Sequence, residues 1–155
     1  EIKKECVIMK VAIGCDHAAY EAKEEIKQYL LDKGFSVEDK GCFSTESVHY
    51  PIYGKAVAEA VVNGKVDRGV LICGTGIGMS IVANKFPGIR AALCHNDFTA
   101  EASREHNDAN ILVMGARVIP ISQMKSIVDI WFNTDFGGGR HQTRLDMIKE
   151  IEERR

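Results

Sequence analysis

The sequence predicts an α/β fold, a three-layer Rossmann-like sandwich built on a five-stranded parallel sheet. Short apolar runs alternate along the chain with segments in which apolar residues recur at helical spacing. Strands and helices that alternate in this way form parallel sheets through right-handed crossovers. The strand-like runs are apolar at almost every position, as expected where helices cover both faces of a sheet. Ligands in such folds bind beyond the carboxyl ends of the strands, so the segments that follow the predicted strands are candidate functional segments.

The first half of the chain supplies three predicted strands and two predicted helices. Apolar runs define the strands, and only Lys10 interrupts the first. Helical spacing of apolar residues defines the helices, and a glycine after each, Gly34 and Gly64, supplies the stop. The polar stretch 39–51 is long enough to be functional rather than a plain connector. In order, these elements are a strand at 7–14, a helix at about 19–33, a strand at 35–37, a helix at about 52–63 and a strand at 69–73.

The second half adds four predicted helices and two predicted strands. Glycines lead into the first of these helices, and Asn96 or Asp97 can cap the second. The last helix is charged and carries an apolar stripe of Leu145, Ile148 and Ile151. In order, these elements are a helix ending near 85, a strand at 89–94, a helix from 96 or 97 through 104, a strand at 111–114, a helix at 121–132 and a helix at 143–155.

Length and composition limit the classes of function. A chain of 155 residues suits one domain with a sizeable core, so we expect a single domain over 1–155. The formal charge of −2 gives no basic field for nucleic acid, and no apolar run reaches the length of a membrane span. The N-terminus is too charged for a secretory signal, and the five cysteines show neither metal-ligand spacing nor a CxxC pair. We therefore expect a reduced, cytoplasmic protein that binds neither nucleic acid nor membrane and holds no metal.

The most informative motif is the run that follows the third predicted strand, Cys73-Gly74-Thr75-Gly76-Ile77-Gly78. Glycines let the backbone approach a ligand closely, and the first amides of the next helix favour negative charge. This environment favours a thiolate, although a cysteine at a strand end is equally typical of packing, and the local sequence leaves both roles open. The spacing GxGxG is not the dinucleotide-binding GxGxxG, and no GxxxxGK[ST] motif occurs. The motif therefore predicts an anion cradle beside a candidate base.

Other polar motifs are candidates too, each with a plainer alternative. Asp16 and His17 follow the first predicted strand, where Asp16 can simply cap a helix. The segment 104–110 places many polar groups between a helix and a strand, where it can be only a helix terminator with a histidine near the helix dipole. After a glycine run, Arg140 and Arg144 stand four residues apart. These arginines share one face of a starting helix and suit a phosphate clamp.

Taken together, the motifs resemble the ribose-5-phosphate isomerase B family, in the wider group that includes galactose-6-phosphate isomerase. The resemblance runs from Met9 to the C-terminus, and residues 1–8 precede the usual family start. Each motif alone is weak, whereas the set is highly specific. The matching stretches are Gly14-Cys15-Asp16-His17, Asp39-Lys40-Gly41, Tyr50-Pro51, Leu71-Ile72-Cys73-Gly74-Thr75-Gly76-Ile77-Gly78, Ala83-Asn84-Lys85-Phe86, Gly88-Ile89-Arg90-Ala91, His106-Asn107-Asp108, Gly115-Ala116-Arg117-Val118 and Gly138-Gly139-Arg140-His141-Gln142.

The resemblance implies a metal-free aldose–ketose isomerase without a cofactor, which interconverts ribose 5-phosphate and ribulose 5-phosphate through an enediolate. It implies that Cys73 is the base that moves the proton between C1 and C2, while Thr75 and the amides of residues 74–78 hold the enediolate oxygens. It also implies that His106 helps to open the furanose ring, with Asp16 as a proton-handling partner. The remaining implied contacts are His17, Arg140 and Arg144 with the phosphate, Asn107 and Arg117 with the rest of the substrate, and Tyr50 as a pocket wall.

The family's site lies at a subunit interface, so the resemblance implies a homodimer or homotetramer. In this assembly we expect His106, Asn107 and Arg117 to meet the Cys73 loop of a neighbouring subunit. One alternative is an isomerase of another sugar phosphate, such as galactose 6-phosphate or allose 6-phosphate. Another is a non-catalytic module that binds phosphosugars or nucleotides, which would tolerate an inert residue at position 73.

Overall fold

The computed structural model describes residues 7–154 and confirms the α/β prediction. Residues 1–6 and 155 lie outside the described part, and with them most of the predicted N-terminal extension. The strands are β1 (Lys10–Cys15), β2 (Ser36–Gly41), β3 (Arg68–Cys73), β4 (Ala91–Leu93) and β5 (Ile111–Gly115). The helices are α1 (Tyr20–Asp32), α2 (Tyr50–Val62), α3 (Ile77–Ala83), α4 (Asp97–Glu105), α5 (Ile121–Asn133) and α6 (Arg140–Glu153), and a short 3-10 turn, His17–Ala19, precedes α1.

All five strands are parallel and form one sheet in the order β2-β1-β3-β5-β4. The chain adds β2 on one side of β1 and then crosses over to add β3 on the other side. The carboxyl ends of β1 and β3 therefore flank the point where the strand order reverses, and a crevice for ligands opens at such a point. Asp16 directly follows β1 and Cys73 ends β3, so the topology brings the two together.

Each face of the sheet has its own hydrophobic core. Successive strand residues point to opposite faces, so neighbours in sequence join different cores. Ile72 packs with buried residues of α1 and α5 on one face. Leu71 and Cys73 pack with buried residues of α2 and α3 on the other face. The result is the predicted order of three layers, with helices on both sides of the sheet.

Three predicted strand boundaries are wrong. β2 continues through Gly41 although residues 38–40 are polar, because it is an edge strand whose side chains alternate between core and solvent. β1 begins only at Lys10, and the apolar Val7 before it is 87% exposed. β4 is limited to Ala91–Leu93, since the amide of Ile89 bonds within a turn to Phe86 O.

Two helices begin earlier than predicted. α2 starts at Tyr50 with Pro51 in its first turn, where a missing N–H leaves no hydrogen bond unmade. α6 starts at Arg140, directly after Gly139, which has a positive φ of 57°. The polar stretch 39–51 is thus divided among the end of β2, a loop at 42–49 and the start of α2. Within residues 7–154, no helix is both long and apolar enough to cross a bilayer.

Candidate active site

The Cys73 thiol lies at the end of β3 against the backbone of its own glycine loop. Its Sγ accepts a hydrogen bond from the amide of Gly76 at 3.2 Å, and the residue is 5% exposed. Gly76 has a φ of 80°, a conformation that few other residues adopt without strain. Cys73 also belongs to the core on the α2 and α3 side of the sheet, so its position suits both the functional and the packing role.

The loop is held closely on several sides. A methyl group on Gly76 would lie 2.4 Å from Leu93 Cδ1. One on Gly78 would lie 2.8 Å from two ring carbons of Tyr50, so Tyr50 covers the helix side of the loop as a wall. Gly74 faces the side chain of Arg117, 3.5 Å from an ideal Cβ position, and its carbonyl accepts from the Arg117 amide at 2.9 Å.

Two of the five predicted cradle amides already have partners inside the loop. The Gly76 amide donates to Cys73 Sγ, and the Ile77 amide donates to Thr75 Oγ1 at 3.2 Å. To hold an enediolate oxygen, either amide has to exchange its partner for the substrate. Thr75 is exposed, so its hydroxyl is the side-chain donor best placed to reach a ligand above the loop.

Asp16 and His17 lie beside this loop at the end of β1. Asp16 Oδ1 accepts from the Ala18 amide at 3.1 Å, which confirms the predicted capping role. His17 Nδ1 accepts from the Val48 amide at 3.1 Å. Because Nδ1 is the acceptor, the ring proton is on Nε2, and this nitrogen can donate to an anion.

His106 lies elsewhere, in a turn that two arginines hold. It is the C-cap residue of α4, which confirms its predicted place as a helix terminator. Arg90 donates to the carbonyl oxygens of Asn107 and Asp108 at 3.0 and 2.9 Å. The buried Arg104 donates to Asp108 Oδ1 at 2.8 Å. These bonds fix the His106-Asn107-Asp108 turn and hence the position of both candidate side chains.

His141 lies against the candidate residue His106, although the sequence did not single it out. Its ring stacks on that of His106 with centroids 4.5 Å apart and planes inclined by 17°. Desolvation and the positive charges of His106, Arg140 and Arg144 lower the pKa of His141. Its only signal in the sequence is its position beside Arg140 in the matching stretch after the glycines.

The candidate residues thus form two groups. We call the first the carboxyl-edge group: Asp16, His17, Tyr50, residues 73–78 and Arg117. We call the second the amino-edge group: His106, Asn107, Arg140, His141 and Arg144.

β5 separates the two groups within one chain. α4 returns the chain to the amino end of the sheet, so His106 lies just before β5 begins at Ile111. Cys73 pairs in register with Gly115 at the far end of β5. Four residue steps of about 3.3 Å put these two ends about 13 Å apart. Arg117 differs from the predicted partition, because it lies against the Cys73 loop of its own chain.

Three other cysteines are packing residues. Cys15, Cys42 and Cys94 are free and at most 1% exposed. Burial, together with the neighbouring Cys42 thiol, raises the pKa of Cys15. Burial also raises the pKa of Cys94. Cys15 and Cys94 therefore fill the core as buried thiols.

Known proteins are similar to this chain in sequence and in fold. Residues 11–148 match the model of the ribose/galactose isomerase family. The chain is 50% identical over 146 residues to ribose-5-phosphate isomerase B of Escherichia coli, covering 94% of this chain and 98% of that protein. It superposes on ribose-5-phosphate isomerase B of Clostridium thermocellum with a TM-score of 0.93 at 53% identity, over 94% of this chain and 99% of the other. The TM-score is 0.89 at 38% identity for the Mycoplasma genitalium enzyme with bound ribulose 5-phosphate, over 93% and 96% of the two chains.

Proposed function

Because this chain belongs to the ribose/galactose isomerase family, we propose that it interconverts ribose 5-phosphate and ribulose 5-phosphate with Cys73 as the base. The observation that carries this proposal is the hydrogen bond from the Gly76 amide to Cys73 Sγ at 3.2 Å. This hydrogen bond holds the Cys73 sulfur against the glycine loop, at the point of the sheet where ligands bind. A base in this position can remove a proton beside a carbonyl group.

In the proposed reaction, the Cys73 thiolate takes the C2 proton of open-chain ribose 5-phosphate. The C2–H electron pair becomes the C1–C2 double bond, and the carbonyl electrons move to O1. The Thr75 hydroxyl and the loop amides stabilise the charge that develops on the enediolate oxygens. The Cys73 thiol then returns the proton to C1 while the O2 proton is lost and O1 is protonated, which gives ribulose 5-phosphate.

The amino-edge group supplies the contacts to the other end of the substrate. Arg140 and Arg144 are exposed and lie on one face of α6, where they can bind the phosphate oxygens. His17 Nε2 is a further donor to the phosphate. In the assembly proposed below, His106 of a neighbouring chain helps to open the furanose ring, and Asp16 handles a proton in this step. Binding of the remote phosphate orients C1 and C2 at the base.

We test this function with purified protein and a panel of five- and six-carbon sugar phosphates under metal chelation. We expect fastest turnover with ribose 5-phosphate and exchange of its C2 proton with solvent. Preference for galactose 6-phosphate or allose 6-phosphate would support the alternative isomerases. Nucleotide or phosphosugar binding without C2 exchange would support the non-catalytic module.

We further propose that the protein is a homodimer or homotetramer in which two chains complete each site. The separation of Cys73 from His106 across β5 supports this assembly. α6 also exposes an apolar stripe, with Ile148 49% and Ile151 70% exposed. A groove of about 340 Å³ beside it is lined in part by Ile89 and Leu145.

We further propose that residues 1–155 form one isomerase domain and that the protein is cytoplasmic, because its free thiols suit a reducing compartment.

Mixing two inactive variants tests the shared site. In a random mixture of Cys73→Ala and His106→Ala chains, half of the dimers are mixed, and each mixed dimer has one intact site. We therefore expect about a quarter of wild-type activity after co-expression. The matched control combines Cys73→Ala with Cys73→Ser, which breaks every site and should recover no activity. Absence of recovery in the first mixture would place each site within one chain.

Arg140→Ala tests the phosphate clamp. Loss of a charge-assisted hydrogen bond is worth about 1.5–3 kcal/mol, so we expect KM for ribose 5-phosphate to rise about 10- to 100-fold. The turnover number should change less than KM, because Arg144 and His17 still bind the phosphate and orient C1 and C2. Lys149→Ala is the matched control, since it removes an exposed positive charge further along α6. Steady-state kinetics measures KM and the turnover number of both variants. An unchanged KM in Arg140→Ala would show that Arg140 does not bind the phosphate.

A further inference from the structure

We propose that Lys23 and Asp39 are positioning residues that hold the loop of residues 42–49, and through it His17 and Tyr50, at the active site. Neither residue takes part in the reaction described above. Asp39 belongs to the Asp39-Lys40-Gly41 motif, and Lys23 lies on α1. The inference rests on the proposed function, because it assigns these residues to the same site.

Lys23 is a buried charge that must be paired. Its side chain is 0% exposed, and its Nζ donates to Asp39 Oδ2 at 2.7 Å and to Glu24 Oε1 at 2.7 Å. Burial opposes the charged form, but the hydrogen bonds with Asp39 and Glu24 outweigh it and raise the pKa of Lys23. An unpaired ammonium at this depth would be strongly unfavourable, so Lys23 fixes the position of its partners.

Asp39 uses its other oxygen to shape the end of β2. Oδ1 accepts from the amide of Gly41 at 2.9 Å, two residues further on. The pairing of β1 with β2 shifts here, from Ile13↔Asp39 to Gly14↔Gly41, so Lys40 is the extra residue of a bulge. One carboxylate therefore binds a buried lysine and sets the direction in which the chain enters the loop.

The loop has direct contacts with the site at its far end. The Val48 amide donates to His17 Nδ1 at 3.1 Å and so fixes the tautomer that presents Nε2–H. Tyr50 follows the loop, and its ring lies against Gly78. A shift of the loop would therefore disturb both the phosphate donor and a wall of the Cys73 cradle.

Lys23 also reaches the near end of the loop directly. Its Nζ lies 5.2 Å from the ring centroid of Phe43, a residue that is otherwise 67% exposed. Most of the loop between these two ends is exposed. A segment with so few buried contacts takes its position mainly from its ends, and Lys23 and Asp39 define one of them.

Asp39→Asn and Glu24→Gln form a matched pair of variants. Each removes one carboxylate from Lys23, but only Asp39 is joined to the loop. In Asp39→Asn the amide oxygen can still accept from Gly41, while Lys23 and Lys27 lose one of their two charged acceptors and keep Glu24. We expect both variants to lower Tm. Asp39→Asn alone should raise KM for ribose 5-phosphate about tenfold, with kcat within about threefold of wild type.

Hydrogen exchange of the Val48 amide provides a measurement independent of activity. We expect faster exchange in Asp39→Asn and wild-type protection in Glu24→Gln. Should Asp39→Asn fail to fold, Lys27→Met is the second variant. It removes a 3.0 Å contact to Asp39 and a 3.2 Å contact to Glu24 from a side chain that is 28% exposed, and a smaller rise of KM is expected.

The two variants also separate this inference from the proposed function. Equal KM values and equal exchange of the Val48 amide in Asp39→Asn and Glu24→Gln would overturn the positioning role. The proposed function would still stand if the wild-type protein isomerises ribose 5-phosphate. Wild-type protein that fails to isomerise ribose 5-phosphate would overturn the function, whereas the exchange measurement would still report on the loop.

Discussion

Turnover of ribose 5-phosphate should fall by about 10²- to 10⁴-fold when Cys73 is replaced by alanine, because general acid–base catalysis contributes about this much. The methyl group of alanine cannot accept the C2 proton. The substrate should still bind, since its phosphate contacts come from other residues. Isomerisation rates, calorimetric binding and exchange of the C2 proton into deuterated water measure the three properties separately. Near-normal turnover of Cys73→Ala would show that Cys73 is not the base.

Cys94→Ala is the control for loss of a buried thiol. Cys94 is 0% exposed, donates to Ser103 Oγ at 3.7 Å and belongs to the core on the opposite face of the sheet from Cys73. We expect a lower Tm and turnover close to wild type. A large loss of turnover in this variant would mean that general damage to the core, rather than loss of a base, explains the effect at position 73.

Gly76→Ala should damage both stability and turnover. The new methyl group would lie 2.4 Å from Leu93 Cδ1 and 3.1 Å from the Met114 carbonyl carbon, so the loop must move. A left-handed conformation alone costs about 1–2 kcal/mol for a residue with a Cβ. Moving the Gly76 amide out of the cradle should lower turnover by about 10²- to 10³-fold, the usual effect of losing one donor to the charge that develops on an oxyanion.

Gly64→Ala separates the cost of backbone strain from the cost of the contact. Gly64 has a φ of 71°, and an added Cβ meets no atom within 4 Å. Chemical denaturation should show a loss of about 1–2 kcal/mol in the free energy of unfolding, with unchanged turnover. If Gly76→Ala keeps its turnover as Gly64→Ala does, the amide of Gly76 has no role in the reaction.

Much of the fold is predictable from the apolar runs of the sequence. Five parallel strands and six helices were expected, and the structure has them within residues 7–154. The polar end of β2 was missed because an edge strand needs only one apolar side. The placement of β5 between β3 and β4 was not predicted, since the crossover lengths permit several strand orders.

The candidate site is only partly readable from the sequence. Cys73 and Asp16 stand out because each follows a strand that the pattern identifies. The stacking of His141 on His106 depends on how α6 docks at the end of α4, which no local pattern encodes. Lys23 did leave a signal, because it stands at helical spacing between the buried Ala19 and Ile26. A charged residue on the buried face of a helix indicates a partner of opposite charge, but only the folded structure shows which residue that partner is.

The distance across β5 has a consequence for how such a gene can change after duplication. Substitutions that remove the amino-edge group leave the carboxyl-edge group of the same chain intact, and the reverse also holds. In the assembly proposed above, two copies of the gene can therefore each lose a different group, and together they still build one complete site per pair of chains. From then on neither copy is dispensable, because selection acts on the pair.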